Sequence, residues 1–134
     1  MTKLETIEGI GETYAQKLRE AGIKTTEGLL DQCATPKGRK ELAQKTEIGD
    51  KLILKWANRA DLFRIKGISE EYADLLEAAG VDTVPELAQR NPGNLLQKLM
   101  QVNQEKKLVR RPPAQSQVDK WVQQAKSLPR VMTY

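Results

Sequence analysis

The sequence contains no histidine and only one cysteine, Cys33. Histidine is the side chain that most often transfers protons near neutral pH, and it is a common zinc ligand. Its absence excludes every Ser–His or Cys–His catalytic pair, and a single cysteine cannot form an internal disulfide. Nothing in the sequence marks a pair of catalytic carboxylates either. We therefore expect no enzymatic activity, no cofactor, no metal site and no small-molecule substrate.

Long apolar stretches are also missing. No run approaches the roughly twenty residues that a membrane-spanning helix needs. The first five residues, Met1 to Glu5, lack the apolar core of a signal peptide. Together with the low cysteine content, this predicts a cytoplasmic protein with no membrane partner. Aromatic residues make up only 4% of the chain, too few for a platform on which single-stranded bases stack.

The positive charge is unevenly distributed. The net charge is +4 and the isoelectric point is near 9.2. Residues 1–61 are almost balanced, residues 62–104 are slightly acidic, and residues 105–134 carry seven basic and two acidic side chains. A basic cluster of this kind can bind phosphate or can simply keep an exposed segment soluble. Its members are Lys106, Lys107, Arg110 and Arg111.

The chain repeats itself when it is shifted by 58 residues. The matching pairs include Gly9 and Gly67, Tyr14 and Tyr72, Ala15 and Ala73, Leu18 and Leu76, and Gly22 and Gly80. Trp56 matches Trp121 at the larger offset of 65, which places an insertion near the basic residues 105–115. We expect both tryptophans to anchor cores. The pattern predicts one repeat over residues 1–61, a second over 62–129, and a tail over 130–134.

Caps and apolar periodicity predict helices throughout the chain. They are expected near residues 12–21, 26–33, 36–46, 50–63, 70–79, 92–104 and 116–127, with another opened by a capping box at Thr83 to Glu86. Gly22 and Gly80 are expected to end their helices in the left-handed conformation. Ser116 is the predicted cap of the last helix. No segment alternates at period two, so the predicted fold is all-α, with the two repeats packed into one compact helical protein.

The two segments Ile7-Glu8-Gly9-Ile10-Gly11 and Ile65-Lys66-Gly67-Ile68-Ser69 precede equivalent helices. Their pattern resembles the hairpin of helix-hairpin-helix proteins, and the whole chain is similar to bacterial tandem helix-hairpin-helix proteins of unassigned function. The resemblance implies sequence-independent contact with the DNA backbone through loop N–H groups. By that resemblance the donors are Gly9, Ile10, Gly11 and Glu12, with Lys17 beside them, and Gly67, Ile68 and Ser69 in the second repeat.

Two functions remain open from the sequence. The preferred hypothesis is non-catalytic, sequence-independent binding of double-stranded DNA through the hairpin amides and the basic segment. The alternative is a scaffold or adaptor that binds another protein, with the hairpin glycines serving only as turns. Carboxylates favour the alternative because they weaken phosphate binding: Glu8 and Glu12 flank the first hairpin, and Glu70, Glu71 and Asp74 follow the second.

The two hairpins are expected to differ in strength. The first keeps both loop glycines and Lys17, whereas the second has Ser69 for the last glycine and Leu75 where the lysine would be. A serine at this position is a good helix cap, so its hydroxyl should occupy the amides that phosphate needs. Leu75 is expected on an exposed face that suits a protein partner. The first hairpin is therefore the predicted phosphate site.

One further stretch, residues 42–53, resembles the spacing of a helix-turn-helix motif. Glu47 occupies the turn position that usually favours glycine, and Leu52 lies where a groove-reading helix would carry a polar group. We therefore favour core packing for this stretch. Cys33 is interpreted as a small buried apolar residue, and the basic residues Lys37, Arg39 and Lys40 as a solvated surface.

Overall fold

The computed structural model describes residues 3–7 and 9–134. Its helices are α1 (Glu12–Glu20), α2 (Thr26–Cys33), α3 (Pro36–Thr46), α4 (Asp50–Leu62), α5 (Glu70–Ala78), α6 (Val84–Ala88), α7 (Pro92–Lys106) and α8 (Gln115–Ser127), after a short 3-10 turn at Leu4–Thr6. Across these described ranges there is no β-strand, only an isolated antiparallel bridge between Lys3 and Thr25. The all-α prediction is confirmed, and the helix boundaries agree with those expected to within two residues.

A side chain caps the start of each of α2, α3, α6 and α7. In each, a side-chain oxygen of the residue before the helix accepts the N–H of the third helical residue. In α2, for example, the Gly28 N–H donates to Thr25 Oγ1 at 3.0 Å. The four caps are Thr25, Thr35, Thr83 and Asn91. The start of α8 differs: Gln117 Oε1 accepts the N–H of Ala114 at 2.8 Å. The predicted Ser116 cap is wrong, because α8 starts one residue earlier and Ser116 lies inside it.

Glycines end α1 and α5 in the predicted manner. Gly22 and Gly80 have φ values of +95° and +94°. The residue after each glycine donates its N–H back into the helix, from Ile23 to Leu18 at 2.9 Å and from Val81 to Leu76 at 2.8 Å. This bonding satisfies carbonyls that the helix end would otherwise leave open, and the predicted left-handed ends are confirmed.

The chain forms two compact units, Met1–Asp61 together with Val131–Tyr134, and Leu62–Arg130. Each unit has its own apolar interior, with Leu18, Ile53 and Trp56 buried in the first and Leu76, Leu99 and Trp121 in the second. Over residues 3–7 and 9–134, every helix is too short or too polar to cross a lipid bilayer.

The last four residues pack into the first unit. Met132 is fully buried, the N–H of Thr133 donates to the Ala34 carbonyl at 2.8 Å, and Arg39 donates to the Thr133 carbonyl at 2.9 Å. The Tyr134 hydroxyl bonds Asn58 Oδ1 at 2.7 Å. The sequence gives no sign of this packing, because four residues are too few to show a periodic pattern.

A pair of carboxyl groups lies at the start of α6. Glu86 bonds the side chain of Asp82, and this hydrogen bond, together with partial burial and the nearby Asp82 charge, raises the pKa of Glu86 from 4.5 to about 7. The hydroxyl of the capping residue Thr83 lies within hydrogen-bonding distance of the same carboxyl and lowers the pKa of Glu86. In the folded protein Glu86 therefore holds its proton to a higher pH than in the unfolded chain.

This carboxyl pair predicts how stability depends on pH. Because the folded-state pKa of Glu86 is raised, its stabilising contribution is complete below pH 4.5 and disappears as the pH rises through about 7. Glu86→Gln should therefore raise the free energy of unfolding at pH 8 by about 1 kcal/mol, a figure reduced for solvent screening, and should leave it nearly unchanged at pH 5. Urea titrations at both pH values measure this difference. Glu105→Gln is the charge-matched control, and an equal effect of both substitutions would contradict the prediction.

Candidate nucleic-acid interface

Each of the two predicted hairpins turns at a glycine with positive φ. Gly9 has a φ of +92° and Gly67 a φ of +93°, values that side chains rarely tolerate. In each turn the following isoleucine folds inward: Ile10 is 3% exposed and donates its N–H to the Ile7 carbonyl at 3.1 Å, and Ile68 behaves alike. The turns themselves therefore use the N–H groups of Ile10 and Ile68, two of the donors that the resemblance implied for phosphate.

The helices after the hairpins begin without a side-chain cap. The cap position of α1 is Gly11, and the first intrahelical bond runs from the Ala15 N–H to the Gly11 carbonyl at 2.9 Å. In α5 the equivalent bond joins Ala73 and Ser69 at 2.8 Å. Within the described part of the chain, the Ser69 hydroxyl accepts no N–H of α5. The predicted occupation of these amides by Ser69 is therefore wrong: Ser69 has the backbone of a cap, but its side chain does not complete the bond.

A tryptophan from the end of the same unit supports each hairpin. A Cβ atom on Gly9 would lie 3.6 Å from Trp56 Nε1, and one on Gly67 would lie 3.1 Å from Trp121 Nε1. Both tryptophans are at most 2% exposed, so the prediction that they anchor the cores is confirmed. A tyrosine ring packs on each at a centroid distance of 5.2 Å, Tyr14 on Trp56 and Tyr72 on Trp121. The two turns are thus held by equivalent aromatic contacts.

Among the described side chains around the predicted hairpins, Leu75 lies elsewhere than expected. Glu12 and Lys17 are exposed on α1, and Glu71 is exposed on α5, as their sequence positions suggest. Glu8 lies outside the described residues. Leu75, in contrast, is 1% exposed, so the prediction that it lies on an open face is wrong. The reason is that α5 buries adjacent residues, Leu75 and Leu76, and therefore has a wider apolar face than α1.

The basic segment is an ordered turn. Helix α7 ends at Lys106, and Lys107 follows with a φ of +51°. Asn103 fixes the turn, because its side chain accepts the Val109 N–H at 2.9 Å and donates to the Val109 carbonyl at 3.1 Å. The side chains of Lys106, Lys107, Arg110 and Arg111 are all exposed. The segment therefore exposes its four cationic side chains to solvent, on a backbone that the Asn103 side chain holds in place.

This turn lies against the helix of the second hairpin. The Tyr72 hydroxyl donates to the Arg111 carbonyl at 3.3 Å. An open groove of about 620 Å³ separates the turn from α5. Its lining residues are Glu71, Asn103, Gln104, Lys107, Leu108, Val109 and Arg110. The structure thus brings together two groups that were predicted separately, the basic segment and the second hairpin helix.

The sequence did not predict a role for Gln124 or Lys66, which meet at the second predicted hairpin. Gln124 binds the backbone of Lys66 twice, accepting its N–H at 3.0 Å and donating to its carbonyl at 3.2 Å. Lys66 is exposed beside Gly67. The 58-residue shift places Lys66 on Glu8, a reversal of charge that could have marked the second hairpin as the more basic one.

Cys33 is fully buried as predicted, and this burial raises the pKa of its thiol to about 12, so the thiol is not ionised near neutral pH. Over residues 3–7 and 9–134, no three acidic, cysteine or histidine side chains converge as a metal site. Glu47 adopts a φ of +61°, the left-handed conformation expected at a position that favours glycine.

Comparison with known proteins assigns the family of this chain. The family model described as a domain of unknown function, DUF4332, matches residues 8–128. Since this match spans most of the sequence, the chain belongs to that family. No curated protein and no solved structure matches it.

Proposed function

We propose that the chain is a non-catalytic module of two helix-hairpin-helix repeats that binds the phosphate backbone of double-stranded DNA without reading its sequence. The observation that carries this proposal is the paired turn geometry. Gly9 and Gly67 adopt the same positive φ, and each turn leads into a helix whose first amides have no side-chain cap. Gly11 and Ser69 at the two cap positions are both exposed, so a phosphate oxygen can approach there.

Elementary electrostatics supports phosphate as the ligand. The first turn of a helix has N–H groups that no intrahelical carbonyl satisfies, and the helix dipole adds positive potential at that end. Backbone amides contact phosphate and sugar but carry no information about the bases, so binding should not depend on sequence. The exposed cations Lys106, Lys107, Arg110 and Arg111 add the non-specific attraction that releases counterions from DNA.

A second candidate function is a protein adaptor. Met100 is 51% exposed and Leu108 is 37% exposed, although both are large apolar side chains. Met100 also lines an open groove of about 390 Å³ between α7 and Pro112. Exposed apolar side chains beside a groove are typical of protein-binding surfaces. Binding of a protein by this face would not require the uncapped starts of α1 and α5, so the two functions can be separated by mutation.

The test is to block the amides without disturbing the fold. At Gly11 a Cβ atom meets nothing within 4 Å, and the backbone has an ordinary φ of −79°. An aspartate there should cap α1, and Ser69→Asp should cap α5, while each carboxylate repels phosphate. We expect the double variant to bind a duplex at least about 10-fold more weakly, with equal or higher thermal stability. Fluorescence anisotropy and thermal melting measure the two quantities.

The control is the double variant Gly11→Asn with Ser69→Asn, which adds the same caps without charge and should lose less affinity. Wild-type affinity should fall steeply with salt and be equal for duplexes of unrelated sequence. If the wild-type protein at micromolar concentration does not bind a duplex in low salt, the proposal is overturned and the adaptor function becomes the better explanation.

A further inference from the structure

The groove between α5 and the turn after α7 combines positive charge with a fixed backbone. Lys107 and Arg110 contribute two cations to its lining, against one carboxylate from Glu71. The carboxylates near the second hairpin counted against phosphate binding in the sequence. In the folded protein, Glu71 shares its groove with two cations that lie more than thirty residues away in the chain. The groove therefore keeps a net positive charge.

Lys107 occupies a backbone position that favours glycine. Its φ is +51°, and its N–H donates to the Asn103 carbonyl at 2.8 Å. The side chain of Asn103 holds Val109 on the other side of the turn. The left-handed backbone would favour glycine, whereas the charge of lysine is favourable at the C-terminal end of α7. The same charge is also available to an anionic ligand in the groove.

We propose that this groove is the principal phosphate contact of the protein, and that the first hairpin is secondary to it. A phosphodiester backbone would pass from the start of α5, which has no side-chain cap, to Lys107 and Arg110. This inference rests on the proposed function and reverses the ranking of the hairpins that the sequence suggested. Lys66, fixed beside Gly67 by Gln124, adds a further cation at the same hairpin.

Lys107→Gly tests the groove without a loss of stability. Glycine removes the charge and relieves the left-handed backbone, so we expect the melting temperature to rise by roughly 2–5 °C while duplex affinity falls about 3- to 10-fold. Glu47→Gly is the matched control, because Glu47 ends α3 with a φ of +61°. It should raise the melting temperature similarly and should not weaken DNA binding.

The second experiment compares two double variants, one that removes two positive charges from the second unit and one that removes two from the first. The double variant Lys107→Ala with Arg110→Ala should lose at least about 10-fold in affinity, and its salt dependence should become shallower by about two phosphate contacts. Lys37→Ala with Lys40→Ala removes the same charge from exposed positions on α3 and should lose less than about 3-fold. Equal losses in the two double variants would overturn the inference while leaving DNA binding intact.

The third arm compares the hairpins directly. Ser69→Asp should weaken duplex binding more than Gly11→Asp, because Ser69 is the N-cap residue of α5, the helix that lines the groove. A larger loss from Gly11→Asp would make the first hairpin the principal site and overturn the inference. Polyglutamate at equal charge concentration should compete poorly with the duplex; equal competition would assign the groove to an acidic protein instead. Absence of wild-type DNA binding is a different result, since it overturns the proposed function itself.

Discussion

Gly38→Ala is expected to lower the free energy of unfolding by about 2 kcal/mol or more, although alanine normally stabilises a helix. Gly38 lies in the first turn of α3, where α3 passes very close to α2. A Cβ atom at this position would lie 2.0 Å from the backbone carbonyl oxygen of Gln32. The clash involves backbone on α2, so relief requires the two helices to separate. Separation would also lengthen the bond from Gln32 Nε2 to the Gly38 carbonyl, now 3.1 Å.

Gly28→Ala provides a closely matched control. Gly28 is the third residue of α2, just as Gly38 is the third residue of α3, and each donates its N–H to a threonine cap. A Cβ atom on Gly28 would lie 3.4 Å from Thr25 Oγ1, an ordinary contact. This substitution should raise the free energy of unfolding by about 0.5 kcal/mol. Urea titration of both variants is the measurement, and destabilisation of the same size by both would disprove the close approach of α2 and α3.

Removing either buried tryptophan should have the largest effect of any single substitution considered. Trp56→Ala and Trp121→Ala are each expected to lower the free energy of unfolding by about 3–5 kcal/mol. Each change removes a side chain that is at most 2% exposed and deprives a tyrosine ring of its partner 5.2 Å away. Each also removes the surface on which a hairpin glycine rests. Urea titration followed by circular dichroism measures the loss.

Leu52→Ala is the comparison for the tryptophan variants, because Leu52 is large and apolar but 37% exposed. Its loss should cost less than about 1 kcal/mol, since a partly solvated side chain gives up little burial. A cost at Trp121 as small as that at Leu52 would show that the aromatic contacts do not support the second hairpin. The losses in free energy of unfolding of Trp56→Ala and Trp121→Ala also show whether the two units depend equally on their tryptophans.

Local sequence signals predicted the helices because the relevant physics is local. Threonine or asparagine before a helix, proline at its first position and glycine after its end act within one turn. The 58-residue shift likewise identified Gly9 and Gly67 as equivalent turns, and both have nearly the same φ. The failure at Ser116 has the same origin: several capping residues compete within two positions, and the Gln117 side chain bonds the backbone of Ala114 instead.

The candidate site was harder to predict because it depends on contacts between distant residues. Tyr72 and Arg111 are 39 residues apart, yet a hydrogen bond joins them and places the basic turn against α5. Burial of Leu75 follows from the packing of α5, not from any repeat in the sequence. The 58-residue repeat aligns Leu75 with Lys17 and so shows a difference in charge. It does not show which face of the helix is buried.

The first unit contains residues that come before the second unit in the sequence and residues that come after it. Residues Val131–Tyr134 follow the whole of Leu62–Arg130 and yet complete the interior that α1 to α4 begin. On the ribosome, the second unit therefore emerges in full before the first receives its last four residues. Met132 can fill its buried place only after it has been translated, so the interior of the first unit depends on residues that are made after the second unit. A chain that stops after Arg130 would lack Met132 and would leave its buried place in the first unit empty.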